Sequence, residues 1–157
     1  MRGAFLVSRE AAKHMIPRKS GKMIFTCSQL GYIGRENYTA YSAAKAGVKN
    51  LVETLAVEWG PYGIQVNGLV PGLFPHDDMT ADIQGNLART SDKDVCQPAL
   101  RVGRLRELGW AATFLASPYA RFVSGHTLVV DGANWQRRSL TNPPVVTVRD
   151  QMGKGRF

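Results

Sequence analysis

Ser28, Tyr41 and Lys45 are the side chains whose types and spacing suit them to chemistry together. Tyr41 and Lys45 are four residues apart at the start of a helix-like stretch, so they share one face about a turn apart. Ser28 falls in the Ser/Gly-containing loop after a short apolar run. A free phenol holds its proton well above neutral pH, and a neighbouring ammonium favours the phenolate. Tyr41 beside Lys45 is thus placed to pass a proton to or from a substrate oxygen. The Ser28 hydroxyl is suited to hydrogen-bond that same oxygen and hold a carbonyl in place.

Such a trio meets only if the surrounding elements bring it together. The chain alternates helical and strand-like stretches, the mark of an α/β fold with a parallel sheet. Residues 3–16 read as a helix, with Phe5, Leu6, Ala12, Met15 and Ile16 at helical spacing and Pro17 ending it. Residues 22–27 read as a strand. Residues 41–59 form the strongest helix, its apolar face made by Val48, Leu51, Val52, Leu55, Ala56 and Trp59, and Gly60-Pro61 stops it. Residues 64–70 read as a second strand closed by Pro71-Gly72, and 127–130 as a third closed by Asp131-Gly132. Between them the spacing predicts a short helix capped by Thr80 and a better one over 105–115. The polar stretch from Thr90 to Leu100 is a candidate lid. From Asn134 onward, Pro143-Pro144 and the Gly/Lys-rich end predict an extended arm. In a parallel sheet of this kind, loops at the C-terminal ends of the strands form the ligand crevice. Ser28, Tyr41 and Lys45 are expected there.

These motifs resemble the short-chain dehydrogenase/reductase family. The family's Tyr-x-x-x-Lys stands as Tyr41-Ser-Ala-Ala-Lys45, with its serine thirteen residues before the tyrosine as Ser28. Ile64-Gln-Val-Asn-Gly-Leu-Val-Pro71-Gly72 is similar to the family's sixth strand and Pro-Gly turn, and Val123 to Gly132 to its last strand. The likeness covers about residues 2–135. It implies a partial Rossmann-like, doubly wound parallel sheet: the C-terminal half, about three strands with flanking helices. It implies hydride transfer between NAD or NADP and an alcohol/ketone or 3-oxoacyl group. Tyr41 would be the general acid/base. Lys45 would favour its phenolate and bond the nicotinamide ribose, and Ser28 would polarise the carbonyl. Pro71, Gly72, Leu73 and Phe74 would border the nicotinamide. The cofactor contacts thus expected are Tyr41, Lys45 and Pro71 to Phe74. The family's threonine a few residues past Pro-Gly has no clear match, because His76-Asp77 stands near that spot.

The family's opening strand, Gly-x-x-x-Gly-x-Gly turn and helix have no counterpart in these residues. Gly31 and Gly34 are the nearest glycine pair, but they belong to the loop beside Ser28. The expectation is the C-terminal part of a cofactor-binding domain over 1–135, followed by a basic extension over 136–157. A polypeptide of these residues alone is expected to be inactive, and its first strand to show an open edge.

With 157 residues, 44% hydrophobic and 20% charged, the chain is ordinary for a globular domain and excludes a fibrous or disordered one. A chain this long buries roughly 70% of its unfolded surface. No apolar run approaches the ~20 residues of a membrane helix. Cys27 and Cys96 form no Cys-x-x-Cys, so a reducing, cytoplasmic compartment is expected, with Cys27 as a buried strand-end residue. His14, His76 and His126 lack metal-ligand spacing, and no metal is expected. The formal net charge is +8. Half of the excess lies in residues 136–157, where Arg137, Arg138, Arg149, Lys154 and Arg156 stand against Asp150. A solvated tail explains this without a nucleic-acid partner, since no recognition motif accompanies it. The expected partner is a small carbonyl or alcohol substrate, with a homo-oligomer for the intact enzyme. Two readings compete. One is a dienoyl-CoA reductase-like enzyme, suggested by Leu55 to Pro61 and Asp131 to Trp135. The other is a non-catalytic half-domain that only associates with other subunits through the helices at 3–16 and 41–59.

Overall fold

The computed structural model describes residues 1–75, 98–99, 101–137 and 148–153. Their α-helices are α1 (Arg2–Met15), α2 (Thr39–Trp59), α3 (Leu105–Ala116) and α4 (Val148–Met152), and their strands are β1 (Gly21–Thr26), β2 (Ile64–Pro71) and β3 (Thr127–Val130). The strands form one sheet in the order β1-β2-β3. Both pairings are parallel, Met23 lying opposite Val66 and Val70 opposite Val129. The chain is α/β, as its alternating pattern predicts.

The central position of β2 explains its composition. A strand flanked on both sides and covered on both faces reads as a continuous apolar run. Ile64, Val66, Leu69 and Val70 are all buried. Asn67 interrupts that run, and both ends of its amide are engaged: Nδ2 donates to the Val123 carbonyl at 2.8 Å and Oδ1 accepts from the His126 N–H at 3.1 Å. A buried amide without such partners would be costly. β2 also takes a glycine at a crowded position. A Cβ on Gly68 would lie 2.4 Å from Thr127 Cγ2 and 2.8 Å from Cys27 Sγ.

α2 lies on this sheet by the predicted stripe. Val48, Leu51, Val52, Leu55 and Ala56 are buried, and Trp59 packs against the same core. α1 is the helix that the spacing predicts over 3–16. Its buried residues are Ser8 and Ala12, and Ala4, Ala11, Met15 and Ile16 pack against the core, while Phe5 is 48% exposed. Ser8 fits an inward position because its Oγ bonds the Ala4 carbonyl of its own helix at 2.8 Å. Phe5 instead borders an apolar groove with Ala12, Ile16, Leu55 and Trp59.

The extended arm expected from Asn134 is a correction. Trp135–Arg137 forms a 3-10 turn and Val148–Met152 a short helix. The Asp131 carboxylate accepts from the Trp135 N–H at 2.8 Å and folds the chain back on itself. Val148–Met152 contains neither glycine nor proline, so nothing in it opposes a helical turn. Thr80 and its short helix, His76-Asp77, Cys96 and Pro143-Pro144 lie outside the described residues, as does most of the candidate lid.

Candidate functional site

β1 and β2 leave the sheet at the same end, and the site is built where they do. The Cys27 N–H donates to the Leu69 carbonyl at 2.8 Å, so the chain is still paired one residue past β1. Ser28 follows immediately and is buried. It adopts an extended backbone and caps a 3-10 turn over Gln29–Gly31, its Oγ accepting from the Leu30 N–H at 3.2 Å. That leaves the Ser28 O–H as a donor. Gly31 presses the turn onto α2: a Cβ there would stand 3.0 Å from the Lys45 carbonyl oxygen.

α2 supplies the other two groups. Tyr41 lies in its first turns and is 46% exposed. Lys45 Nζ lies 5.7 Å from the Tyr41 ring centroid, within cation–π range. The same Nζ donates to the Thr26 carbonyl at 2.8 Å. This contact fixes the ammonium at the end of β1, two residues before Ser28. It uses one of three N–H donors. Tyr41 also meets Tyr38 edge-on at 6.1 Å, and the Arg35 guanidinium lies 5.2 Å from the Tyr38 ring.

β2 ends in Pro71, and Gly72 continues the pairing by donating to the Val130 carbonyl at 2.9 Å. Only glycine fits here, because a Cβ would lie 2.4 Å from Asp131 Cβ. Leu73 is held by the Gly103 N–H, which donates to its carbonyl at 2.9 Å. Leu73 and Phe74 line a cavity of about 130 Å³ with Arg101, Gly103, Glu107 and Asp131. That cavity does not include Ser28, Tyr41 or Lys45. Lys45 joins the end of β1, two residues before Ser28, to the ring of Tyr41. Pro71 to Phe74 stand at the end of the adjacent strand.

Glu107 organises the far wall of this cavity. It takes both Arg101 guanidinium nitrogens, at 2.8 and 2.7 Å, and the Arg104 N–H at 2.8 Å. The Arg101 hydrogen bonds, and then the Arg104 N–H, pull its pKa down from 4.5 to about 2. Burial pushes the Cys27 thiol up despite Lys45 and Lys49 nearby, which fits a strand-end residue rather than a nucleophile. Among the described residues no group of three or more His, Cys, Asp or Glu is placed to hold a metal. None of the described helices is long and apolar enough to cross a membrane.

Sequence spacing does not flag Thr26, whose contribution to the site is a backbone carbonyl. Nor does it flag Tyr32 and Trp135, whose rings stack at 5.3 Å between segments far apart in the chain.

The family model described as Enoyl-(Acyl carrier protein) reductase matches residues 1–133, most of the chain. The chain belongs to the short-chain dehydrogenase/reductase family. Among the members of that family it is 42% identical over 129 residues to the 2-dehydro-3-deoxy-D-gluconate 5-dehydrogenase of Formosa agariphila, covering 82% of this chain and 48% of that protein. It is 41% identical over 128 residues to the gluconate 5-dehydrogenase of Gluconobacter oxydans, covering 82% and 50%. A crystal structure of a gluconate 5-dehydrogenase from Burkholderia cenocepacia, in complex with NADP and tartrate, superposes with a TM-score of 0.78 at 38% identity, covering 85% of this chain and 52% of that one. The chain therefore spans about half the length of the short-chain dehydrogenases it matches.

Proposed function

We propose that this chain carries the proton-transfer end of an NAD- or NADP-dependent oxidoreductase that interconverts an alcohol and a ketone. The observation that supports this best is the Lys45 ammonium held at 2.8 Å on the Thr26 carbonyl, with the Tyr41 ring one turn back on α2. In the reducing direction Ser28 donates its O–H to the substrate carbonyl and orients it. The nicotinamide, when bound, supplies the hydride that the carbonyl carbon accepts. Tyr41 gives its phenolic proton to the carbonyl oxygen, and the product is the alcohol. Tyr41 regains a proton from solvent, to which it is open. Lys45 favours the transient phenolate. Its two remaining N–H donors suit the hydroxyls of a cofactor ribose, and Pro71, Gly72, Leu73 and Phe74 border the ring. No described residue is assigned to the pyrophosphate.

The substrate class proposed is a keto or hydroxy sugar acid. The relatives at 41–42% identity are named for such substrates, which favours this class over the 3-oxoacyl and dienoyl-CoA alternatives. The intact enzyme is proposed to be a homo-oligomer. The 157 residues by themselves are proposed to turn over at background rate, because no Gly-x-x-x-Gly-x-Gly turn stands among them.

The test uses the chain alone and the chain fused behind the N-terminal half of the Gluconobacter protein, each given NADH or NADPH and 5-keto-D-gluconate. The fusion is expected to oxidise the nicotinamide, and the chain alone is not. Tyr41→Phe in the fusion should lower kcat/KM at least about a hundredfold, the range of a lost general acid. An undiminished rate would remove Tyr41 from the mechanism. Equal rates on the keto acid and on plain cyclohexanone would remove the sugar-acid assignment.

A further inference from the structure

The turn after β3 reaches back to the loop that carries Ser28, and it does so through a connected set of contacts. Gly132 and Ala133 both have positive φ, +62° and +68°. The left-handed region suits glycine and disfavours alanine, so Ala133 is held there by its surroundings. The holding group is Asp131, whose Oδ2 accepts from the Trp135 N–H at 2.8 Å and whose carbonyl accepts from the Asn134 N–H at 3.3 Å. This tight turn lays Trp135 on Tyr32 at 5.3 Å with an interplanar angle of 34°.

Tyr32 is a joint. Its hydroxyl and that of Thr127, the first residue of β3, hydrogen-bond each other. Lys49 of α2 lies 5.4 Å from its ring, and Lys49 is itself fixed by Glu53 at 2.5 Å. The Tyr32 N–H donates to the Gln29 carbonyl at 2.9 Å, closing the 3-10 turn that Ser28 caps. Four segments thus converge on one ring four residues after Ser28: the capped turn, α2, β3 and the post-β3 turn.

We propose that Asp131 and Trp135 form a brace that, through Tyr32, sets the position of the Ser28 side chain relative to Tyr41 and Lys45. Trp135 is a positioning residue that acts through Tyr32. The functional meaning of the brace rests on the role given above to Ser28, but its existence does not. The Leu30 N–H bonds Ser28 Oγ directly, so its exchange rate reports the Ser28 side chain without any reference to turnover.

Amide hydrogen exchange of the 157-residue chain is the test, with Trp135→Ala, Trp135→Phe and Asp131→Ala compared against the parent. An aromatic pair contributes enough to change a local opening equilibrium by about fivefold to tenfold. Trp135→Ala and Asp131→Ala are expected to speed exchange at Leu30, Gly31 and Tyr32 by about that factor. Amides of the β1–β2 ladder should keep their parental rates, and Trp135→Phe, which retains a stacking ring, should restore the loop. Unchanged exchange at Leu30 would overturn the brace. So would acceleration of loop and ladder together, which marks a merely global loss of stability. Separately, Ser28→Ala in the fusion described above tests the catalytic reading. If it leaves turnover intact while Trp135→Ala still loosens Leu30, the function is wrong and the brace stands.

Discussion

Glu107 is half-buried and titrates far from the ordinary carboxylate value, because three N–H donors converge on it. Arg101 approaches with both guanidinium nitrogens, a fork that matches a carboxylate, and the Arg104 N–H adds the first-turn contact of α3. Its pKa in the folded chain, about 2, lies below the 4.5 of the free group. A depressed acid pKa means that the folded state favours the charged form. The resulting stabilisation is complete above about 4.5 and is lost as pH falls through 2. Glu107→Gln removes the charge and keeps the shape. Urea midpoints of parent and variant are expected to differ most at neutral pH and to converge between pH 4.5 and 2. A difference that persisted at the acid end would show that the Arg101 pair is not its source. The same group ties Arg101 to the start of α3, so the acid limb also reports on one wall of the cavity lined by Leu73 and Phe74.

Elements differ in how openly the sequence declares them, and the difference follows from the range of the forces that form them. α2 was legible because a helix must turn one stripe to the sheet, and Val48, Leu51, Val52, Leu55 and Ala56 are that stripe. β2 was legible because Pro71-Gly72 ends it, and the end is steric: no Cβ fits between Gly72 and Asp131. Gly72→Ala must displace Asp131 Cβ from 2.4 Å and its Cα from 2.6 Å. Overpacking of this kind costs about 1–3 kcal/mol, which a lowered urea midpoint would measure. A midpoint equal to the parent's would mean that the β2 and β3 ends separate freely. Phe5, which is 48% exposed, shows that periodicity marks an apolar stripe but not what covers it. The fold-back of Trp135 was illegible because it depends on a carboxylate at Asp131 and on a ring from the opposite side of β2. In the site, the Tyr41–Lys45 spacing was legible from helix geometry alone. The Thr26 carbonyl was not, since every residue owns one.

At the scale of the whole molecule, the decisive feature is the free edge of β1. β2 is enclosed by its neighbours, whereas among the described residues β1 and β3 each have a partner on one side only, and it is the free edge of β1 that adjoins Lys45. The direction of its backbone groups can be read from the Cys27 N–H, which points to Leu69 of β2. Groups alternate along a strand, so the backbone groups of Thr26 and Ile24 face the other way. Lys45 Nζ covers the Thr26 carbonyl, and that cover is the contact that anchors the site. Ile24 lies further along the same edge, 36% exposed. A strand edge of this kind is a template for another chain unless a charge or a covering element blocks it. The 157-residue polypeptide is therefore expected to associate as its concentration rises, and Ile24→Lys to shift its sedimentation towards the monomer with an unchanged far-ultraviolet spectrum. The fusion that restores turnover should lose the association without any substitution, since an added strand would occupy the same edge. Association that survives both changes would place the contact elsewhere, with the apolar groove between α1 and α2 as the surface to alter next. Association that disappears in both would tie solubility and catalysis to one structural cause: the open side of β1, next to which Lys45 holds its place.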